Sequence, residues 1–458
     1  MTMSANLPFH KFSIAAILDG YRAKTLSPTD VAQWCADAYA AAEPHVHAWE
    51  CFDAERLMGA AKAATARLAQ GEAPRSLEAI PVGVKDIFNT ADFPTQMGSP
   101  LWRGFTPGND ARVLYDMKRH GALVPGKTVT AEFAVHALGK TLNPHSALAN
   151  PGTSSSGSAV AVAAGMVPVA LGTQTAGSIV RPASFCGVWG CKPSFGLVPR
   201  TGMLKTTDSL DTVGYFVAHA GDLQAVFDAI RVHGRDYPIS HAALTDLARQ
   251  SAPSERPWRI AVVRPAAVWG HAVGYARDAL DAWCARVGQD ARFDLVDVGL
   301  PAEVNDAHAL HSTIYDRALA YYFQEEYKRT ELISPVMNQL IVSGQGITPA
   351  QYEQALDLQV VAARAMDAFF SGFDAIVTLS TGSSAPPREQ VEVPDSALIW
   401  TLTHLASVSA PAFTSPDGMP FGVQLVARRY NDPLLFRLVC ELVERQFLPA
   451  GCNPIAHF

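Results

Sequence analysis

Charge is scarce in this 458-residue chain: Asp, Glu, Lys and Arg together make up 17% of it, against about 25% in ordinary soluble domains. With 48% hydrophobic residues and a mean hydropathy of +0.08, disordered and low-complexity classes are excluded. Dense basic blocks are also absent and the formal net charge is −7, so nucleic acid is not an expected partner. Long apolar runs are missing too. The longest, Ala159 to Leu171, contains Gly165 and Pro168 and falls short of the roughly 18 residues a membrane span needs. The apolar stretch Phe12 to Leu18 is closed by Asp19, with few charges before it and no small-residue cleavage pattern after it, so no signal peptide is expected. The expectation is a soluble, cytoplasmic protein that meets no membrane.

Several catalytic signatures are missing as well. The seven cysteines are odd in number, scattered and free of any CxxC pair, which suits reduced thiols rather than a disulfide framework. GxSxG is absent, and with it the main support for a nucleophile-elbow hydrolase. The loop Gly152 to Ser158 has glycines placed like a phosphate loop but lacks the lysine that would reach a phosphate. HExxH is missing, and His45/His47 and His308/His311 lack a third ligand at recognisable spacing, so no metal and no organic cofactor is expected.

What is present begins with helices. Ser27-Pro28-Thr29-Asp30 supplies a cap, a proline at the first helical position and an acid at the third, and an Ala-rich helix is expected over Ala54 to Leu68. From about Ala79 to Gly202, Gly, Pro, Ser and Thr punctuate short apolar segments, the texture of strand ends feeding loops and helices. Ile80, Val82 and Val84 alternate with Pro81, Gly83 and Lys85, which puts Lys85 on the face opposite the aliphatics. An α/β rhythm resumes near Trp258, with a strand at Ile260 to Val263, a helix near Tyr275 to Val287, mostly helical sequence from Val304 to Phe370, and strands at Asp374 to Leu379 and Gly422 to Ala427. Asp236 to Pro257 reads as a surface loop. Length alone allows about three domains, but no repeat or clear break divides the chain. One domain over 1–458 is expected, with a helical region at 1–75, a core at 79–215, a helical elaboration at 220–370 and the rest of the core at 371–458.

The chemistry concentrates between Asn143 and Lys192. A Gly/Ser loop enters an Ala-rich helix, a short strand at Val167 to Leu171 follows, and a second small-residue loop, Gly172 to Ser178, comes next. Small residues permit close backbone approach and leave N–H groups available, as an oxyanion site requires.

This run resembles the amidase signature family, as do IPVGVKDIFNT around Lys85, PGKT at 125–128, DTVG at 211–214 and GMPFGVQLVA at 418–427, with Ser154 and Ser178 24 residues apart. The resemblance implies an α/β fold, a large mixed β-sheet covered by helices on both faces. It implies Ser178 as nucleophile, Ser154 as the serine preceding a cis peptide that relays its proton, and Lys85 as base. Backbone N–H groups of Thr175, Ala176, Gly177 and Ser178 would form the oxyanion hole. A lysine acts as base only when neutral, which at pH 7 costs about 4.6 kcal/mol from its ordinary pKa of about 10.4, so burial is required; Asp86 would oppose it if turned inward.

Gln174 stands where many members have Asp, Thr153 replaces a usual Gly, and Arg181 sits one place later than in DTGGSIR. That variant resembles stand-alone small-molecule amidases of the malonamidase type. Thr153 and Arg181 are the candidate substrate-binding residues, with Arg181 either pairing with a substrate carboxylate or carbonyl or tying loop groups together. The expected substrate is a small-molecule amide, with carbamates and esters as alternatives, and a homodimer is a family-level expectation. The rival is an amidotransferase component that works only inside a tRNA-dependent complex.

Overall fold

A computed structural model describes residues 8–390, 393–453 and 455. The capping signal at Ser27 is realised in full: the Ser27 hydroxyl accepts from Asp30 N–H and the Asp30 carboxylate accepts from Ser27 N–H, starting the helix Pro28–Val46. Asp53 caps the helix Ala54–Ala69 in the simpler way, through Arg56 N–H.

Eleven strands form one sheet: β1 (Trp49–Phe52), β2 (Val82–Lys85), β3 (Gly126–Thr128), β4 (Val169–Gln174), β5 (Trp189–Lys192), β6 (Thr212–Val217), β7 (Trp258–Val262), β8 (Phe293–Asp297), β9 (Ala375–Leu379), β10 (Ala406–Thr414) and β11 (Pro420–Ala427). Their order is β1-β3-β2-β4-β6-β5-β10-β11-β9-β7-β8. β2 lies parallel to both β3 and β4, and β7 is parallel to β8 and β9, while the middle of the sheet is antiparallel. β2, β4, β5, β6, β9 and β11 are buried along their whole length, as strands covered on both faces must be.

Parallel pairing sets the position of the site. Val84 is level with Leu171, so the carboxyl ends of β2 and β4, bearing Lys85 and Gln174, emerge at the same edge. Ligands commonly bind at such strand ends in α/β sheets. The helix Ser156–Ala163 leads into β4, and the helix Val180–Cys186, wholly buried, follows the loop that leaves it.

Several expectations are corrected here. β4 begins at Val169 and continues to Gln174, so the second loop starts at Thr175 instead of Gly172. Gly172 stays in the strand by pairing with Gly214 on β6, and only glycine fits there, since a Cβ would lie 2.8 Å from Ile179 Cδ1 and 2.9 Å from Ser155 Oγ. Asp236 to Pro257 holds two short helices, Pro238–Thr245 and Leu247–Gln250, the second capped by Asp246. β1 interrupts the N-terminal region expected to be helical. β10, which joins the two halves of the sheet, carries no clear strand signal in sequence: its small residues, Pro411 and a register shift between Ala410 and Phe413 hide the alternation.

Candidate active site

Strand alternation sends neighbouring side chains to opposite faces, and at the end of β2 this separates Lys85 from Asp86. Asp86 turns toward Lys127 on β3, whose Nζ lies 3.0 Å from its Oδ1. The acid that threatened to hold Lys85 in its charged form is thus paired elsewhere.

Lys85 is fully buried and its Nζ meets only hydroxyls: Ser154 Oγ at 2.7 Å, Ser155 Oγ at 3.0 Å and Thr173 Oγ1 at 3.0 Å. The Ser155 hydroxyl donates its own hydrogen to Thr173 O, so it can only accept from Lys85. With Ser155 and Thr173 as acceptors of two N–H bonds, a neutral amine has its lone pair left for Ser154. Burial pushes the Lys85 pKa well below the ordinary lysine value, and the charge of Asp211 acts weakly in the opposite direction. Ser154 itself is buried, and the cis peptide bond joins Thr153 to Ser154, so it precedes the serine instead of following it as expected.

Ser178 lies just before the helix Val180–Cys186 and is 7% exposed, the more accessible of the two candidate serines, since Ser154 is 1% exposed. The loop from Thr175 to Ser178 is held by its carbonyls. His311 Nε2–H donates to Thr175 O at 2.8 Å, Thr401 donates to Ala176 O at 2.8 Å, and Arg181 N–H donates to Gly177 O at 2.9 Å. In a trans peptide the N–H points opposite to the carbonyl it shares a plane with. Each of the N–H groups of Ala176, Gly177 and Ser178 therefore points away from the bonded carbonyl with which it shares a peptide plane.

Gln174 ties the loop through both ends of its amide. Its Oε1 accepts from Ile179 and Val180 N–H, while its Nε2–H donates to Thr401 Oγ1 at 3.0 Å, a bond that a carboxylate cannot make. Asp211, from the DTVG segment, accepts from the Thr175 hydroxyl at 2.8 Å and from Thr206 and Thr207 through both N–H and hydroxyl groups.

Arg181 is buried and its Nε–H donates to Asp395 Oδ2 at 2.8 Å. His308 donates to the Asp395 carbonyl, so His308 and His311 serve separate backbone oxygens instead of forming a ligand pair. Among the described residues, no group of three His, Cys, Asp or Glu is gathered for a metal. Sequence reasoning missed Asp395 and Thr401, which come from distant segments and carry no local pattern, and weighed His311 only as half of a metal-ligand pair. Cys186 and Cys191 are buried thiols, raised in pKa by that burial.

The family model described as Amidase matches residues 30–436. The chain belongs to the amidase family. Among curated relatives of this amidase-family chain, a glutamyl-tRNA(Gln) amidotransferase subunit from Anaeromyxobacter sp. (strain K) is 31% identical over 95% of this chain and 96% of that protein. Among solved structures, a chain from a vestigial protein complex that reveals the evolutionary origins of an s-triazine catabolic enzyme superposes with a TM-score of 0.85, at 26% identity, covering 96% of this chain and 100% of that one. The native peptide amidase of Stenotrophomonas maltophilia gives 0.81 at 25% identity, covering 99% and 100%. The fold is that of the amidase structures. Among the described residues, no helix is long and apolar enough to cross a membrane.

Proposed function

We propose that this amidase-family chain is a stand-alone hydrolase of small-molecule amides, acting through an acyl-enzyme on Ser178. The observation that carries the proposal is Lys85 Nζ at 2.7 Å from Ser154 Oγ, buried and surrounded by hydroxyls. Neutral Lys85 takes the Ser154 proton as Ser154 takes that of Ser178, and Ser178 Oγ attacks the amide carbonyl. Negative charge on the carbonyl oxygen is met by the N–H groups of Thr175, Ala176, Gly177 and Ser178. Ser154 and Lys85 then return the proton to the leaving nitrogen, and ammonia or an amine departs. Water enters, gives its proton to the same relay and attacks the acyl carbon; protonation of Ser178 releases the acid. Carbamates and esters fit the same sequence of steps. Thr153 is assigned to the wall of the substrate pocket, and the malonamidase-type subgroup, a single domain and a possible homodimer in the cytoplasm complete the reading.

The second reading, an amidotransferase component working inside a complex, is favoured by the names of the 31%-identical relatives. Gln174 and the lack of a basic block weigh against it. A panel of primary amides, anilides and carbamates, assayed with a metal chelator and with the purified chain alone, separates the two. Turnover by the isolated chain is expected; turnover only after partner proteins are added would support the amidotransferase reading.

A further inference from the structure

We propose that the Arg181–Asp395 pair makes the acyl side of this site select uncharged substrates and exclude amides that carry a carboxylate. The inference rests on the amide-hydrolase reading and names the substrate class of the same site. From sequence, Arg181 is an open candidate for carboxylate recognition. Its position does border the reacting serine: a Cβ added to Gly177 would lie 2.8 Å from Arg181 Nη2 and 3.3 Å from Asp395 Oδ2, so the pair sits directly against the loop that presents Ser178.

The charge of the guanidinium is already answered. Arg181 Nε–H donates to Asp395 Oδ2 at 2.8 Å, and the two side chains are 6% and 2% exposed. Asp395 is itself fixed, because its Oδ1 accepts from Ala397 N–H at 3.0 Å. A substrate carboxylate brought to this place would give up its hydration and meet an arginine whose anion is present and anchored, with Asp395 repelling it.

None of the described residues that line the cleft beside the pair supplies a second positive charge. Among the described residues, the small cleft beside the pair is lined otherwise by uncharged groups, including Phe185, Thr381, Ser383, Pro386 and Val393. His136 is, among the described residues, a further titratable group within electrostatic reach of both partners. The residue is exposed, but protein packed around its side chain, together with the Arg181 charge, pushes its pKa down to about 4. It is neutral under ordinary assay conditions. An acyl group presented to this wall therefore gains from apolar contact and from neutral hydrogen-bonding groups.

The test compares kcat/KM for succinyl p-nitroanilide with that for its neutral 4-oxopentanoyl isostere, in the wild type and in Asp395→Asn. The Asn side chain can still accept from Ala397 N–H while removing the Asp395 charge from beside Arg181. The wild type is expected to favour the neutral anilide by about tenfold or more, and Asp395→Asn to move that ratio toward the carboxylate by about tenfold or more. Binding of succinate by calorimetry reads the same pair without catalysis: none for wild type, measurable for Asp395→Asn. Asp395→Ser, whose hydroxyl also accepts from Ala397 N–H, serves if Asp395→Asn does not fold.

A wild type that prefers the succinyl substrate or binds succinate would overturn the proposal, as would an unchanged ratio in folded Asp395→Asn. Loss of turnover on both anilides, with succinate binding still gained in the variant, would count against amide hydrolysis and leave the selectivity argument standing.

Discussion

Lys85 and Lys127 lie on neighbouring strands, both fully buried, yet their surroundings differ in kind. Lys127 faces Asp86 at 3.0 Å and donates to Phe88 O, Pro94 O and Thr95 Oγ1, so its positive charge is answered by a carboxylate and carbonyls. Lys85 faces three hydroxyls and no carboxylate. Burial lowers the pKa of both, but Asp86 opposes the shift at Lys127 as a paired neighbour, whereas only the charge of Asp211 opposes it at Lys85. A third buried lysine, Lys192, donates to Pro193 O and Leu405 O, and burial brings it down to about 8. The difference teaches that burial alone does not make a base. The amine also needs a shell in which one neighbour is able to give it a proton.

The comparison breaks most visibly on activity. Ser178→Ala and Lys85→Met are each expected to lower kcat by about 10⁴-fold or more, the scale seen when a member of a nucleophile–base unit is removed. Near-normal turnover in Lys85→Met would remove the lysine from the mechanism.

Stability should separate the two lysines by sign. Lys127→Met leaves Asp86 buried without its cation and should cost about 3–5 kcal/mol in urea unfolding. Lys85→Met removes an amine whose charged form burial disfavours, and should stabilise by about 1–4 kcal/mol. The pH dependence follows from linkage: with the folded pKa lowered, the unfolded chain binds the proton that the folded chain lacks. Wild-type stability therefore rises with pH toward about 10.4, and the advantage of Lys85→Met is largest at low pH and fades on approach to that value. An equal loss in both variants would contradict the contrast.

A smaller effect is expected from the loop supports. His311→Phe frees the Thr175 carbonyl and should lower kcat by about 10–100-fold, with KM little changed and the pH profile retained. A pure loss of folded protein with normal kcat would make His311 structural. Gln174→Glu keeps both acceptor bonds to Ile179 and Val180 but loses the donation to Thr401, and a drop of about 1 kcal/mol in stability is expected.

The parts of the site that are legible in the sequence are those encoded close together in it. Strand alternation places Lys85 opposite the aliphatics and two small-residue loops bracket Ser154 and Ser178, but it is the resemblance to the amidase signature family that singles out these three residues. Asp395, Thr401 and His311 are not legible, because each reaches the loop from more than 130 residues away and answers a backbone or side-chain group that only the fold exposes. Arg181 is visible as a charge beside the nucleophile, but its partner is not, so its meaning cannot be read from the chain alone. The fold is legible in class and less so in its centre, where β10 is built from serines, alanines and a proline.

The central claim is that a neutral Lys85, acting through Ser154, activates Ser178. Its most direct test is the rate of covalent labelling by a serine-reactive phosphonate, followed by mass spectrometry of the intact protein and its peptides across pH. The account predicts one adduct, on Ser178, whose rate rises with a single ionisation well below about 10.4 and shows no step near 6.5, where an ordinary histidine titrates. An adduct on Ser154, or a rate that follows a histidine-like ionisation and survives in Lys85→Met, would contradict it.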